Sequence, residues 1–269
     1  MLGAVLLSMA LALAGCATTS TADGENSAKK SPAQKLDPWE NWNRKVFGFN
    51  EGLDQHVLKP VATAYRDVVP EMVRTGVTHV VGNVSDAWSA FNHLLQGKWQ
   101  SAFEMTVRVV TNTTFGILGI FDVASEAGLE SKPEDFGQTL GRWGFGSGPY
   151  IVWPLLGPSS VRDSVGLPLD LQATPAYFVK DPTTRAEVLT LQFINARARL
   201  LGASRVIDDI SFDKYSFMRD AYLARRRSLV YDGSPPDSQN DDDGGDPSAT
   251  PSAAPASAAS AASAASAAQ

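Results

Sequence analysis

The chain has 269 residues, enough for one domain of ordinary size with tails at both ends. Its formal net charge is −6. Asp237, Asp241, Asp242, Asp243 and Asp246 supply five of those charges, with no basic residue beyond Gly233, so the rest of the chain is close to neutral. A near-neutral body has no basic face for nucleic acid, and a single cysteine, Cys16, excludes an intramolecular disulfide framework.

The opening run, MLGAVLLSMALALAGC, holds an apolar stretch of about eleven residues, too short to span a bilayer as a helix. It ends in small residues before Cys16, as a secretory signal does. LAGC matches the pattern at which bacterial lipoproteins are cut and acylated, so residues 1–15 read as a signal peptide and Cys16 as the lipid attachment site. Met1-Leu2-Gly3 carries no Lys or Arg, and the expectation is a true start upstream of it. Ala17, in place of an Asp, leans towards the outer membrane. Residues 16–36, rich in Ser, Thr, Ala, Lys and Gly, read as a flexible tether.

The folded part is expected over 37–232. Asp37 suits an N-cap, Pro38 the first helical position and Glu40 the third place after the cap. Trp42, Val46, Phe49, Leu53 and Val57 then recur at helical spacing, and Pro60 is expected to end that helix. Val84 to Gln96 carries a stripe of Val84, Ala87, Trp88, Phe91 and Leu94 or Leu95, stopped by Gly97. Trp99 to Val110 is apolar on more than one side, as in a central helix or one that faces lipid. Ala186 to Leu201 has a stripe through Leu189, Phe193, Ala196 and Leu200, and Lys214 to Leu229 forms a last helix with Arg225, Arg226 and Arg227 near its C-terminus. No sustained period of two is visible. The fold class is all-α with long Gly/Pro connectors. Residues 233–269, acidic and then Ala/Ser-rich, offer almost nothing to bury and read as disordered.

The chemistry of an enzyme is not visible. Asp135-Phe136-Gly137 has the letters of a kinase magnesium loop, but no HRD loop or strand lysine accompanies it. Gly141, Gly144, Gly146 and Gly148 are not closed by the GK[ST] of a phosphate loop. His56, His79 and His93 lack metal-ligand spacing. Neither a cofactor nor a metal is expected.

Several stretches, in order, resemble one family: DPWENWNRKVFGFNEGLDQHVLKPVATAYRDVVPEMVRTGV, NHLLQGKW, NTTFGILGIFDVASEAGL and DFGQTLGRWGFGSGPYIVWPLLGPSSVRDSVG. Together they are similar to the MlaA (VacJ) family of outer-membrane lipoproteins, over about Asp37 to Tyr231. The resemblance implies a ring-shaped helical domain embedded in the membrane, with a central amphipathic channel. It implies removal of misplaced phospholipids from the outer leaflet, delivery to a periplasmic phospholipid carrier protein, and association with a trimeric porin. A scaffold that organises porins without moving lipid is the alternative, since both need an apolar belt.

A transported phospholipid carries roughly 30 methylenes, each favouring burial by ~0.8 kcal/mol, so full exposure to water costs roughly 20 kcal/mol or more. A ring with a polar lumen and an apolar outer belt avoids that cost. Within this resemblance, Phe47, Gly48 and Phe49 are candidates for the channel edge that faces lipid, with Gly48 allowing close approach of another helix, although core packing is a nearly equal reading of the two phenylalanines. Tyr150 and Trp153 suit a membrane interface. Arg142 and Arg162 either line the channel or pair with Asp135 and Asp163.

Overall fold

The computed structural model describes residues 36–236. Cys16, the signal segment, nearly all of the tether and most of the acidic tail lie outside the described residues. Helix α1 runs Glu40–Leu53, with Trp39 at its N-cap. Asp37 does not cap it. Its carboxylate is buried and accepts from Asn43 Nδ2 at 2.8 Å and from the Tyr215 hydroxyl. Pro60 does not end the helix either. A π-helical turn, Asp54–Leu58, leads directly into α2, Lys59–Val68, with Pro60 in its first turn. In a regular α-helix the proline ring would crowd the carbonyl four residues back. The wider turn, closed by the Lys59 N–H on the Asp54 carbonyl, accommodates it.

Helix α3, Glu71–Leu95, is the longest and ends before Gly97, which takes a φ of +74° that favours glycine. It packs antiparallel along α4, Trp99–Thr114. A short α5, Val123–Glu126, and α6, Phe136–Arg142, are capped by Asp122 and Asp135, whose carboxylates accept from Ser125 N–H and Gln138 N–H. Strands β1, Tyr150–Trp153, and β2, Gly157–Ser160, form an antiparallel hairpin that pairs Tyr150 with Ser160 and Trp153 with Gly157. Four residues per strand are too few to reveal a period of two, so this element is an addition to the all-α expectation. Then come α7, Val161–Asp170, a 3-10 turn at Pro175–Phe178, α8, Pro182–Arg199, α9, Leu201–Ile210, and α10, Lys214–Val230.

An apolar core of Val46, Tyr150, Val152 and Tyr215 joins α1, the hairpin and α10. Asn43 ties α1 to β1: its Oδ1 accepts from Val152 N–H at 2.9 Å and its Nδ2 donates to the Tyr150 carbonyl at 3.1 Å. The glycines of DFGQTLG serve packing. A Cβ on Gly166 of α7 would lie 2.8 Å from the Gly137 nitrogen of α6, so these two helices meet backbone to backbone.

Elsewhere burial is inverted. Helix α3 buries Asp86, Ser89, Asn92 and His93 and exposes Phe91 and Leu94 of the expected core stripe. Helix α4 buries Arg108 and Asn112 beside Ala102 and Met105 and leaves Trp99 and Phe103 each 71% exposed. Helix α8 buries Asn195 and Ala198 and exposes Leu189 and Phe193, with Leu200 exposed just after its end. The periodicity marks the right faces, but they point outward. Among the described residues no helix is long and apolar enough to cross a membrane.

Candidate functional site

The inward polar residues line an open cavity of about 830 Å³. Along α3 its wall is made by Arg74, Thr78, Gly82 and Asp86, spaced four apart and therefore on one face. Arg108 and Asn112 of α4 and Asn195 and Arg199 of α8 line other sides.

Two sets of hydrogen bonds shape this space. At one end Arg108 donates from Nε to Asp86 at 3.0 Å and from Nη2 to Asp122 at 3.1 Å. Ser131 Oγ donates to the other Asp86 oxygen at 2.7 Å. Burial pushes the Asp122 carboxyl up, but donors from Ser125 and Asn112, with the Arg108 charge, outweigh it and bring it down to about 2. This end is thus two carboxylates around one guanidinium, with one net negative charge. In the middle, Asn195 Nδ2 donates to Thr78 Oγ1 at 2.8 Å while its Oδ1 accepts from the Tyr65 hydroxyl at 3.1 Å, tying α2, α8 and α3 together. The segment after α4 closes against α3: His79 Nδ1 lies 3.0 Å from the Ile120 carbonyl, and a Cβ on Gly119 would come within 2.8 Å of Asn83. That segment turns through Ile117 and Leu118, both left-handed and exposed, with φ of +52° and +57°. Among the described residues no group of three or more metal-ligating side chains is present.

The residues singled out from sequence lie elsewhere. None of Phe47, Gly48, Phe49, Arg142, Tyr150, Trp153 and Arg162 lines this cavity. Phe47 packs edge-on against Tyr215, 5.7 Å between centroids, and borders a smaller cavity of about 210 Å³ with Asp54 and Arg197. Phe49 is 58% exposed. A Cβ on Gly48 would meet open space, so among the described residues no other helix approaches it closely. Tyr150 is fully buried in the core, so its ring does not reach a membrane interface, whereas Trp153 is partly exposed with its Nε1 on Ser164 Oγ at 2.8 Å. Arg162 is buried against Asp163, at 2.9 Å, but Arg142 is exposed and pairs with neither acid. Asp135 is instead held by Arg226 of α10, at 2.5 and 2.9 Å, and Arg226 also reaches Asp163 at 2.8 Å. The cavity residues left no distinct signal in the sequence: Arg74, Thr78 and Asp86 recur at multiples of four, but α3 carries other polar residues as well, among them Thr75, His79, Asn83 and Asn92.

A helical fold that turns polar side chains into a cavity and apolar ones outward defines a class of protein built for two solvents. The chain belongs to the MlaA lipoprotein family, whose family model matches residues 35–229, and its fold class is the helical ring of that family. A relative from Escherichia coli (strain K12), named intermembrane phospholipid transport system lipoprotein MlaA, is 32% identical over 232 residues, 85% of this chain and 88% of the relative. An uncharacterized protein of Rickettsia bellii is 34% identical over 197 residues, 72% of this chain and 77% of the relative. A solved structure reported as "Structural basis for maintenance of bacterial outer membrane lipid asymmetry" is similar with a TM-score of 0.63 at 33% identity, covering 72% of this chain and 98% of that one.

Proposed function

We propose that this chain is an outer-membrane lipoprotein of an intermembrane phospholipid transport system. It takes misplaced phospholipids from the outer leaflet and passes them to a soluble periplasmic carrier, so that lipid asymmetry is kept. The observation that carries this reading is the inverted burial: a polar cavity of about 830 Å³ beside helices that turn Trp99, Phe103 and Phe115 outward. A phospholipid needs a wet route for its head and a dry one for its tails. An apolar exterior around a polar interior supplies both, and neither asks for a covalent step. The names of the relatives point the same way. Acylated Cys16 anchors the chain, and the exposed apolar helices seat it in the bilayer, beside a trimeric porin.

A deletion strain carrying the wild-type gene or Phe49→Asp tests this. Phe49 is exposed, so the variant accumulates normally. The expected result is raised outer-leaflet phospholipid in the deletion strain, restored by the wild-type gene and restored poorly by the variant. Unchanged outer-leaflet phospholipid on deletion would overturn the transport reading and leave porin scaffolding in its place.

A further inference from the structure

The turn that follows α4 is strained without a reason inside the chain. Ile117 and Leu118 are successive left-handed residues, and Gly119 follows them with a φ of +86°. That region suits glycine or asparagine, and a β-branched residue such as isoleucine is a rare occupant. Packing does not explain the choice, because the Ile117 and Leu118 side chains are 61% and 73% exposed. The backbone, by contrast, is firmly held. Leu118 N–H donates to the Thr113 carbonyl at 3.0 Å, Gly119 N–H to the Asn112 carbonyl at 2.9 Å and Phe121 N–H to the Gly116 carbonyl at 2.9 Å. From Val109 to Phe121 no residue carries a charge. Arg108 and Asp122, on either side of that stretch, pair with each other at 3.1 Å. Phe115, Ile120 and Phe121 are exposed in the same segment, and so is Met72 of α3, one turn before Gly76, whose Cβ position would lie 3.4 Å from Ile120. At its back the turn meets His79 and Asn83 of α3, which line the cavity, as Asn112 and Asp122 do. It is thus an uncharged apolar point with the cavity wall directly behind it.

We propose that Ile117 and Leu118 form an acyl-chain wedge, a point held in the hydrocarbon of the bilayer that disturbs the packing of lipid chains next to the cavity. The inference rests on the transport reading above and adds to it where a lipid's chains part from their neighbours. Neutral aliphatic side chains suit hydrocarbon and offer a headgroup nothing to bind. The fixed backbone serves the same end, because a loose turn would yield to the lipid chains and leave their packing intact. In this reading the strain persists because the two side chains act on something outside the fold.

The test uses the full-length chain in the deletion strain. Leu118 is replaced by photoreactive benzoylphenylalanine, and Glu126, exposed on α5, is replaced likewise as the control. After irradiation, mass spectrometry should find phospholipid adducts at 118 and none at 126. Lipid adducts at both positions, none at 118, or a protein adduct at 118 in place of lipid would each overturn the wedge. Ile117→Asn and Leu118→Asn test the strain, since asparagine accepts the left-handed region and removes the apolar side chain. Their melting temperatures in detergent should equal the wild type or exceed it by ~2–4 °C. Outer-leaflet phospholipid should nevertheless rise towards the level of the deletion strain, whereas Leu118→Met, which stays apolar, should match the wild type. A fall in melting temperature of more than ~4 °C would show that these side chains hold the fold, and would overturn the proposal. Full restoration of asymmetry by both asparagine variants would overturn the wedge and leave the transport reading standing. A deletion strain without excess outer-leaflet phospholipid would overturn both.

Discussion

Two regions of this chain solve burial in opposite ways. Around the hairpin, Val46, Tyr150, Val152 and Tyr215 pack as the interior of a water-soluble protein does, and the charges beneath them are matched: Arg226 with Asp135 and Asp163, Arg162 with Asp163. Around α3, α4 and α8 the interior sets Asp86, Arg108, Asn112 and Asn195 among small or flexible apolar residues such as Ala198 and Met105, and the exterior carries Phe91, Trp99, Phe103 and Phe193. The difference teaches that an apolar stripe reports a face and its period, while the solvent beyond decides which way the face points.

The largest effect is expected at the hinge of that contrast. Arg108→Met leaves Asp86 and Asp122 with no cation, and if their surroundings are as dry as the burial implies the loss is about 3–5 kcal/mol. Chemical denaturation in detergent measures it. A loss well under 1 kcal/mol would mean that cavity water solvates both acids, and the two regions would then differ in wetness as well as polarity.

Arg226→Met asks the same of the hairpin region, with about 3 kcal/mol expected. Its pH dependence has a definite sign. Burial pushes Asp135 and Asp163 up, but Arg226 outweighs this and holds both below the usual carboxylate range. Their contribution in the wild type is therefore full above about pH 4 and is lost as pH falls through the lowered values. In the variant burial acts on Asp135 without its cation. The deficit against wild type should be greatest at neutral pH and shrink towards pH 4. Parallel stability curves for the two proteins would show that Arg226 does not set these carboxyls.

The apolar exterior gives a smaller thermodynamic effect and a clearer partitioning one. Phe103→Ser removes an exposed ring, so the melting temperature in detergent should stay within about 2 °C of the wild type. Flotation with liposomes should fall. A Tyr150→Ala variant provides the opposite pattern, since Tyr150 is fully buried and the change should cost ~3 kcal/mol. The smallest effect is at Gly48, in α1 with open space around it. Gly48→Ala should raise stability by ~0.5–1 kcal/mol through helix propensity alone. Lipid asymmetry lost in that variant would point to a need for backbone freedom beside Phe47 and Phe49.

Part of the helical order was legible from the residues: the spacing from Trp42 to Leu53, the stop at Gly97 and the last helix from Lys214 were met, whereas the cap at Asp37 and the stop at Pro60 were not. Asp135, Asp181 and Asp213 cap α6, α8 and α10, although these caps were not among the expectations from sequence. The hairpin was hidden, since its strands have only four residues each and β1 is held by the side chain of Asn43, over a hundred positions away. The cavity was hidden for another reason. Arg74, Asp86 and Arg108 look like solvated residues when water is assumed outside, and the inversion shows only once the neighbouring helices are in place. Tyr150 went to the core because its partners, Tyr215 and Tyr222, arrive from the last helix.

The π-helical turn at Asp54–Leu58 has a consequence in rotational phase. Trp42 and Phe49 lie on one exposed line of α1, and Val61 and Val68 are exposed on α2. In an uninterrupted α-helix Val61 would stand about 120° round from Phe49, and the buried Ala62 would rotate off the line of Asn43 and Val46. A π turn holds one residue more than an α turn and so sets the phase back by about 100°. Val61 then returns to within about 20° of Phe49. The greasy line runs unbroken from Trp42 to Val68, and the inward line runs from Asn43 to Ala62, across a proline that would otherwise have broken both.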